Sequence, residues 1–162
     1  MKNVLFISLL IFLFTNCDKK MLSFKFEDPF LIFNYPADWK YSKEEERTHL
    51  FYDEKAGSFR ITPIIFPKEN LSNVKVLESI VTDVDGTVRP IRIKELFIFK
   101  SQRSYKDSDG DLLVNTNWYF GKEHILILAS YTILEELSTS DKGISALKDC
   151  ENIIGTMQFG SQ

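Results

Sequence analysis

The chain has 162 residues, of which 44% are hydrophobic, 14% aromatic and 27% charged, with a formal net charge of −3. That balance suits one globular domain and excludes a disordered, collagen-like or disulfide-scaffold protein. Two His and two Cys leave few side chains for metal or nucleophile chemistry. No basic stripe with interleaved aromatics is present, which excludes nucleic acid as a partner.

Met1 to Asn16 carries one charge, Lys2, followed by an apolar run from Val4 to Phe14 broken only by Ser8. A spanning helix needs about 20 apolar residues, whereas the h-region of a secretory signal takes about 7 to 15 behind a positive start, so this is a signal peptide. Cys17 stands directly after the run and resembles the lipobox cysteine of bacterial lipoproteins. That resemblance implies removal of residues 1–16, acylation of Cys17 and a membrane partner reached through the lipid. The alternatives are an ordinary signal cut nearby with Cys17 incidental, and an uncleaved anchor. The expected layout is a signal peptide at 1–16, a lipidated tether at 17–22 and a single domain at 23–162, held at the inner or outer membrane of a bacterial cell envelope. Cys150 is then the sole thiol of the mature domain, so no intramolecular disulfide forms.

From Ser23 the chain alternates in polarity, with Phe24 and Phe26 against Lys25 and Glu27, which predicts a strand. Pro29 ends it. Further strands are predicted at 30–35, at 39–42 and at 48–53, with Asp53 to Gly57 as a hairpin connection into a strand at 58–66. Pro63 inside that strand predicts an edge or a bulge. Helical spacing of Val74, Leu77, Ile80, Val81 and Val84 then predicts a helix capped by Ser72 and stopped at Gly86. Residues 91–105, 112–120 and 124–133 read as three long strands in a meander, turning at 106–111 and 121–122. Asp141 is the expected cap of a last helix with Ile144, Leu147, Cys150, Ile154 and Met157 on one face.

The strongest chemical motif is Asp83-Val84-Asp85-Gly86-Thr87, which resembles the first motif of haloacid-dehalogenase-type phosphatases. The resemblance implies a carboxylate nucleophile and an acid/base on a strand end, working with a divalent cation. The downstream strands are joined by tight turns and are therefore antiparallel, so the expected place of Asp83 and Asp85 is an exposed helix end. Asp107-Ser108-Asp109-Gly110-Asp111 has carboxylates at calcium-loop spacing, but its Gly and its twelfth residue, Trp118, do not fit an EF-hand. His49 and His124 lack neighbouring ligands at metal spacing, and Cys150 sits on an apolar helix face. No catalytic residue, cofactor or metal is expected.

Aromatic residues remain. Trp39, Tyr41, Phe51, Tyr52, Trp118, Tyr119, Phe120 and Tyr131 crowd onto predicted strands, and strand parity cannot place all of them inside. They serve either a Phe-rich core with cross-strand pairs or a patch for a protein partner, with Trp39, Tyr41, Trp118 and Tyr119 as the partner-binding candidates.

The words Phe30-Leu31-Ile32-Phe33-Asn34-Tyr35-Pro36-Ala37-Asp38-Trp39, and the order of elements after them, resemble the opening of PsbP-like domains. There a strand ends in Tyr-Pro, a short turn follows and Trp begins the next strand. The resemblance covers residues 23–160 and implies an α+β fold, an antiparallel sheet sandwiched between helices. The photosystem II extrinsic protein, the Ran-binding Mog protein, secretion-effector chaperones and many bacterial lipoproteins of unknown function share that fold, and most of them bind proteins. Gly57-Ser58-Phe59-Arg60-Ile61-Thr62 is also similar to a bacterial group of unknown function. The expectation is a lipid-anchored, non-enzymatic protein-binding or accessory module, in an immunity or chaperone role for a secreted toxin among other forms. The alternatives are a small-ligand or lipid carrier using the Phe-rich interior, and a metal-dependent phosphohydrolase through Asp83 and Asp85.

Overall fold

The computed structural model describes residues 19–27, 29–44 and 47–160. The chain runs β1 (Met21–Phe26), β2 (Leu31–Pro36), β3 (Lys40–Lys43), β4 (His49–Asp53), β5 (Gly57–Ile65), α1 (Val74–Val84), β6 (Arg89–Ile93), β7 (Leu96–Lys106), β8 (Leu112–Lys122), β9 (Ile125–Leu134), α2 (Glu135–Ser138), α3 (Asp141–Gly155) and β10 (Gln158–Phe159). A small sheet has the order β1-β2-β10, and a seven-stranded sheet has the order β3-β4-β5-β9-β8-β7-β6. Every pairing is antiparallel.

The period-2 patterns dictate which residues line each face of the large sheet. Phe51, Phe59, Ile61, Ile98, Trp118, Phe120, Ile127, Ala129 and Tyr131 share one face, and α3 and the small sheet cover it. Phe24 lies at the centre of the ring packing there, 5.1 Å from Phe51 and 5.5 Å from Phe33 between centroids. On the opposite face Phe99, Tyr119 and Leu126 pack under Leu77 and Val81 of α1. The sheet is therefore sandwiched between helices, as the resemblance implies.

Local physics moves several expected boundaries. Asn73, not Ser72, caps α1, its Oδ1 accepting from the Lys75 N–H at 3.0 Å, while Ser72 Oγ accepts from the N–H of Glu123 at 2.8 Å. Ser140, not Asp141, caps α3 by accepting from the Gly143 N–H. Val84 and Ile144 were expected on apolar faces and are 67% and 56% exposed. Gly86 is not in the left-handed region, and α1 ends at Asp85, whose N–H donates to the Val81 carbonyl. The strand expected at 91–105 is two strands, β6 and β7, joined at Lys94-Glu95, and the β8–β9 turn falls at Glu123-His124. Lys94 and Glu123 both take positive φ (52° and 54°), the twist that short hairpins require. Pro63 lies in β5 just past its last pairing with β4, Ile61 against His49, so it occupies a local edge where no ladder donor is lost. Met21 and Leu22, expected in the tether, already pair with Pro36 and Tyr35.

Candidate functional site

The α1 face of the large sheet is only partly covered. α1 shields the region of Phe99, Tyr119 and Leu126, and among the described residues only the short α2, at one rim, approaches the remainder, from β4 across to the far ends of β9, β8 and β7. A trough of about 740 Å³ lies there, beside α2. Leu50, Tyr52, Leu113 and Leu134 supply its apolar wall, and Arg60 and Thr132 its polar groups.

Register explains the chemistry of this surface. Ser58, Thr132, Asn115 and Arg103 stand opposite one another on successive strands, and so do Arg60, Ser130, Asn117 and Ser101 in the next row. Two polar rows therefore cross a sheet whose reverse face is apolar. Arg60 is held by a forked ion pair to Glu44, with Nε 2.9 Å from Oε2 and Nη2 3.0 Å from Oε1, and Nη1 donates to Ser58 Oγ at 3.0 Å. Asn115 Nδ2 donates to Thr132 Oγ1 at 2.9 Å. Asn115, Asn117 and Ser101 are all buried. The alternation Asn115-Thr116-Asn117 inside an otherwise apolar strand is the sequence signal for these rows. Polar residues of one parity predict a face that no helix covers, and they were not among the candidates.

One row ends on a carboxylate. Asp85 Oδ2 accepts from Ser101 Oγ at 2.5 Å and from the Tyr119 hydroxyl at 3.3 Å, and Oδ1 accepts from the N–H and hydroxyl of Thr87. Burial pushes the Asp85 carboxyl up, but these donors outweigh it and hold the group below the ordinary carboxylate range. The expectation that Asp85 is exposed is thus corrected: it is a partly buried tie between α1 and β7. Asp83 and Asp85 lie at a helix end and not at the end of a strand, so the phosphohydrolase geometry is not formed.

The four candidate aromatics do not form one patch. Trp39 is buried, Trp118 lies fully inside the α3-side core, and Tyr119 is buried under α1 on the opposite face. Adjacent residues on a strand point to opposite faces, so Trp118 and Tyr119 cannot share a surface. Tyr41 alone is exposed, its hydroxyl 3.0 Å from His49 Nδ1. Cys17 lies outside the described residues. Asp107 Oδ1 accepts from the N–H groups of Asp109 and Asp111, so the acidic stretch closes the β7–β8 hairpin. Cys150 is fully buried, and burial pushes its thiol well above the ordinary range. Among the described residues no His, Cys, Asp and Glu side chains gather as a metal-ligand group, and no helix is long and apolar enough to cross a membrane.

Residues 12–159 match a domain of unknown function, DUF3805. The chain belongs to the DUF3805 family. Its fold is α+β, an antiparallel sheet between helices. It is similar to a crystal structure from Bacteroides thetaiotaomicron, at 20% identity and a TM-score of 0.65, over 82% of this chain and 46% of that one. The DUF3805 chain thus spans less than half the length of that protein. It is similar to LpqN of Mycobacterium tuberculosis, at 12% identity and a TM-score of 0.50, over 89% of this chain and 92% of that one. A cyanobacterial PsbP from Synechocystis aligns over 88% of this chain and 94% of its own, at 10% identity and a TM-score of 0.43. No curated protein matches the chain. Likeness at these identities concerns the fold alone.

Proposed function

We propose that this DUF3805 chain is a non-enzymatic accessory module of the bacterial envelope, held to a membrane by a lipid on Cys17, that binds a protein partner on the uncovered half of its large sheet. The observation that carries the reading is the trough itself. A trough with an apolar wall and the accessible polar groups of Ser58, Arg60 and Thr132 suits recognition, because Arg60 is fixed by Glu44 and Thr132 by the buried Asn115 behind it. LpqN is described as involved in cell envelope biogenesis, which fits an envelope setting for this fold.

Site-specific photocrosslinking in the native host tests the binding face. A crosslinker at Tyr52 or Leu113 is expected to give one reproducible protein adduct that a crosslinker at Lys148, on exposed α3, does not. The same adducts from all three positions, or none from the trough, defeat the reading. Fractionation of Cys17→Ala tests the anchor separately, with release from the membrane expected.

A second reading has one observation of its own. At about 740 Å³ the trough falls within the usual range for small-molecule sites. The Phe-rich interior expected to hold a ligand is instead filled by ring-to-ring packing, Phe33 on Phe51 at 5.4 Å among others, so a carrier role would use the trough. Native mass spectrometry of the chain purified from its host reads this directly.

A further inference from the structure

β7 is an eleven-residue strand that is paired on both sides for less than half of its length. β6 covers only Leu96–Lys100, ending where Arg89 meets Lys100, and from Ser101 to Lys106 the strand has β8 on one side and, among the described residues, no strand on the other. The cause lies upstream. The chain leaving α1 is tied down at Asp85, which holds both Thr87 and Ser101, so it joins the sheet only at Arg89. The six uncovered residues extend about 20 Å. Their outer N–H and C=O groups form an unfilled half of a ladder.

The other edges of this sheet are short or interrupted by Pro, whereas this one runs for six residues without a Pro. β3 is four residues long with a Lys at each end, and β6 carries Pro90. Beside the β7 overhang runs a groove of about 530 Å³, lined by Thr87, Arg89, Lys100, Gln102, Arg103 and Ser104. Its charge runs against that of the chain, whose net charge is −3. Arg89, Arg103 and Lys106 are exposed, and none is ion-paired among the described residues. Lys100 is held by Glu151 at 2.9 Å, and two acids approach the overhang: Asp85, which accepts from Ser101 Oγ at 2.5 Å and is already engaged by Thr87 and Tyr119, and Glu135, 3.3 Å from Ser104 Oγ.

We propose that Ser101–Lys106 of β7 is a docking edge that takes an extended acidic segment of a partner protein as an added strand. Main-chain hydrogen bonds along the edge give the affinity, and the guanidinium groups of Arg89 and Arg103, which stand on opposite faces of the sheet, select acidic side chains on the two faces of the added strand. This goes beyond the trough reading by naming a second surface. Arg103 and Tyr105 point to the same face as the trough, so one partner can span both.

The test uses the whole domain, a short synthetic peptide of Thr-Glu-Glu repeats, which carries Glu on both faces of a strand, and the same peptide N-methylated at every residue. The unmethylated peptide is expected to shift and protect from exchange the backbone amides of residues 101–106. The fully N-methylated peptide keeps the charge but has no main-chain donors on either edge, and is expected not to protect them. Arg89→Glu and Arg103→Glu are each expected to raise the dissociation constant about tenfold, with weakening at higher ionic strength. Lys68→Glu, far from the edge, serves as the control. A urea midpoint close to wild type shows that each variant is folded, and Lys106→Glu replaces either one that is not. Equal binding by both peptides reduces the surface to charge attraction and overturns the proposal. Shifts confined to Leu50 and Tyr52 overturn it while leaving the trough reading intact. Concentration-dependent protection of 101–106 without peptide assigns the edge to a second copy of the chain and also overturns it.

Discussion

Asp85 and Ser101 join the end of α1 to the middle of β7 through a 2.5 Å hydrogen bond, and this contact sets where the α1-covered part of the sheet stops. A carboxylate that takes four donors from Ser101, Thr87 and Tyr119 is a structural anchor, since a hydrogen bond to a charged group is worth more than one between neutral groups.

Asp85→Asn is therefore expected to destabilise the fold by about 1–2 kcal/mol at neutral pH, read from urea midpoints. The sign of the pH dependence follows from the lowered carboxyl. Its stabilisation is fully present above the unfolded pKa of about 3.9 and is lost as pH falls from there through the lower folded value. The gap between wild type and Asp85→Asn should close in that acid window. A gap that is constant down to acid pH would show that the carboxylate is not the group that matters.

His49 gives a second pH-dependent effect, at milder acidity. It sits between Phe26, at 4.2 Å between ring centroids, and Tyr41, and burial, with Lys43 adding to it, pushes its imidazole below the ordinary value. A buried neutral imidazole resists protonation, so its contribution is complete above an unfolded pKa of about 6.5 and declines as pH falls below it. Replacing it, as in His49→Phe, is expected to flatten the fall in urea midpoint below about pH 6.5. An NMR titration should place His49 below the free-peptide value, and a midpoint at or above it contradicts the packing.

Phe51 packs against Phe24, Phe33, Tyr35 and Tyr41 and is fully buried. No single replacement can refill a site bounded by four rings, so Phe51→Ala is expected to cost about 3–5 kcal/mol. Phe51 faces the α3-side core and the trough lies on the reverse face of β4. The milder Phe51→Leu should thus lower the melting temperature without moving trough crosslinks from Tyr52. Loss of those crosslinks in a folded Phe51→Leu would mean that the two faces are coupled.

The strands were legible where alternation was strong, as at Phe24 and Phe26 or from Phe59 to Ile61, because one buried face imposes period 2. The hairpin at Lys94-Glu95 has no sequence signal, and the one expected at 121–122 turns two residues later at Glu123-His124, because neither turn contains the Gly or Asn that marks a positive φ. The aromatic candidates misled for a related reason. Trp and Tyr are as useful in a core as on an interface, and only register reveals that Trp118 and Tyr119 face opposite ways. The polar rows were visible only as Asn115 and Asn117, since their partners Arg60, Ser130 and Ser101 come from strands brought together by the fold.

Gly57 opens β5 at the rim of the trough with φ of 90°, a region that costs an L-residue about 1–3 kcal/mol. A β-carbon there would also run into the Thr132 carbonyl and press on Ile133. Thr132 is the acceptor for Asn115 in the first polar row, so any displacement of β9 at this point disturbs the trough as well as the ladder. Gly57→Ala is therefore expected to lower stability by more than the backbone penalty alone and to weaken crosslinking from Leu113, whereas Gly110→Ala meets the same φ of 90° in open space and should show the backbone penalty only. Equal effects of the two substitutions on the urea midpoint would mean that β9 yields freely at Thr132, and the rigidity assigned to that row would be lost.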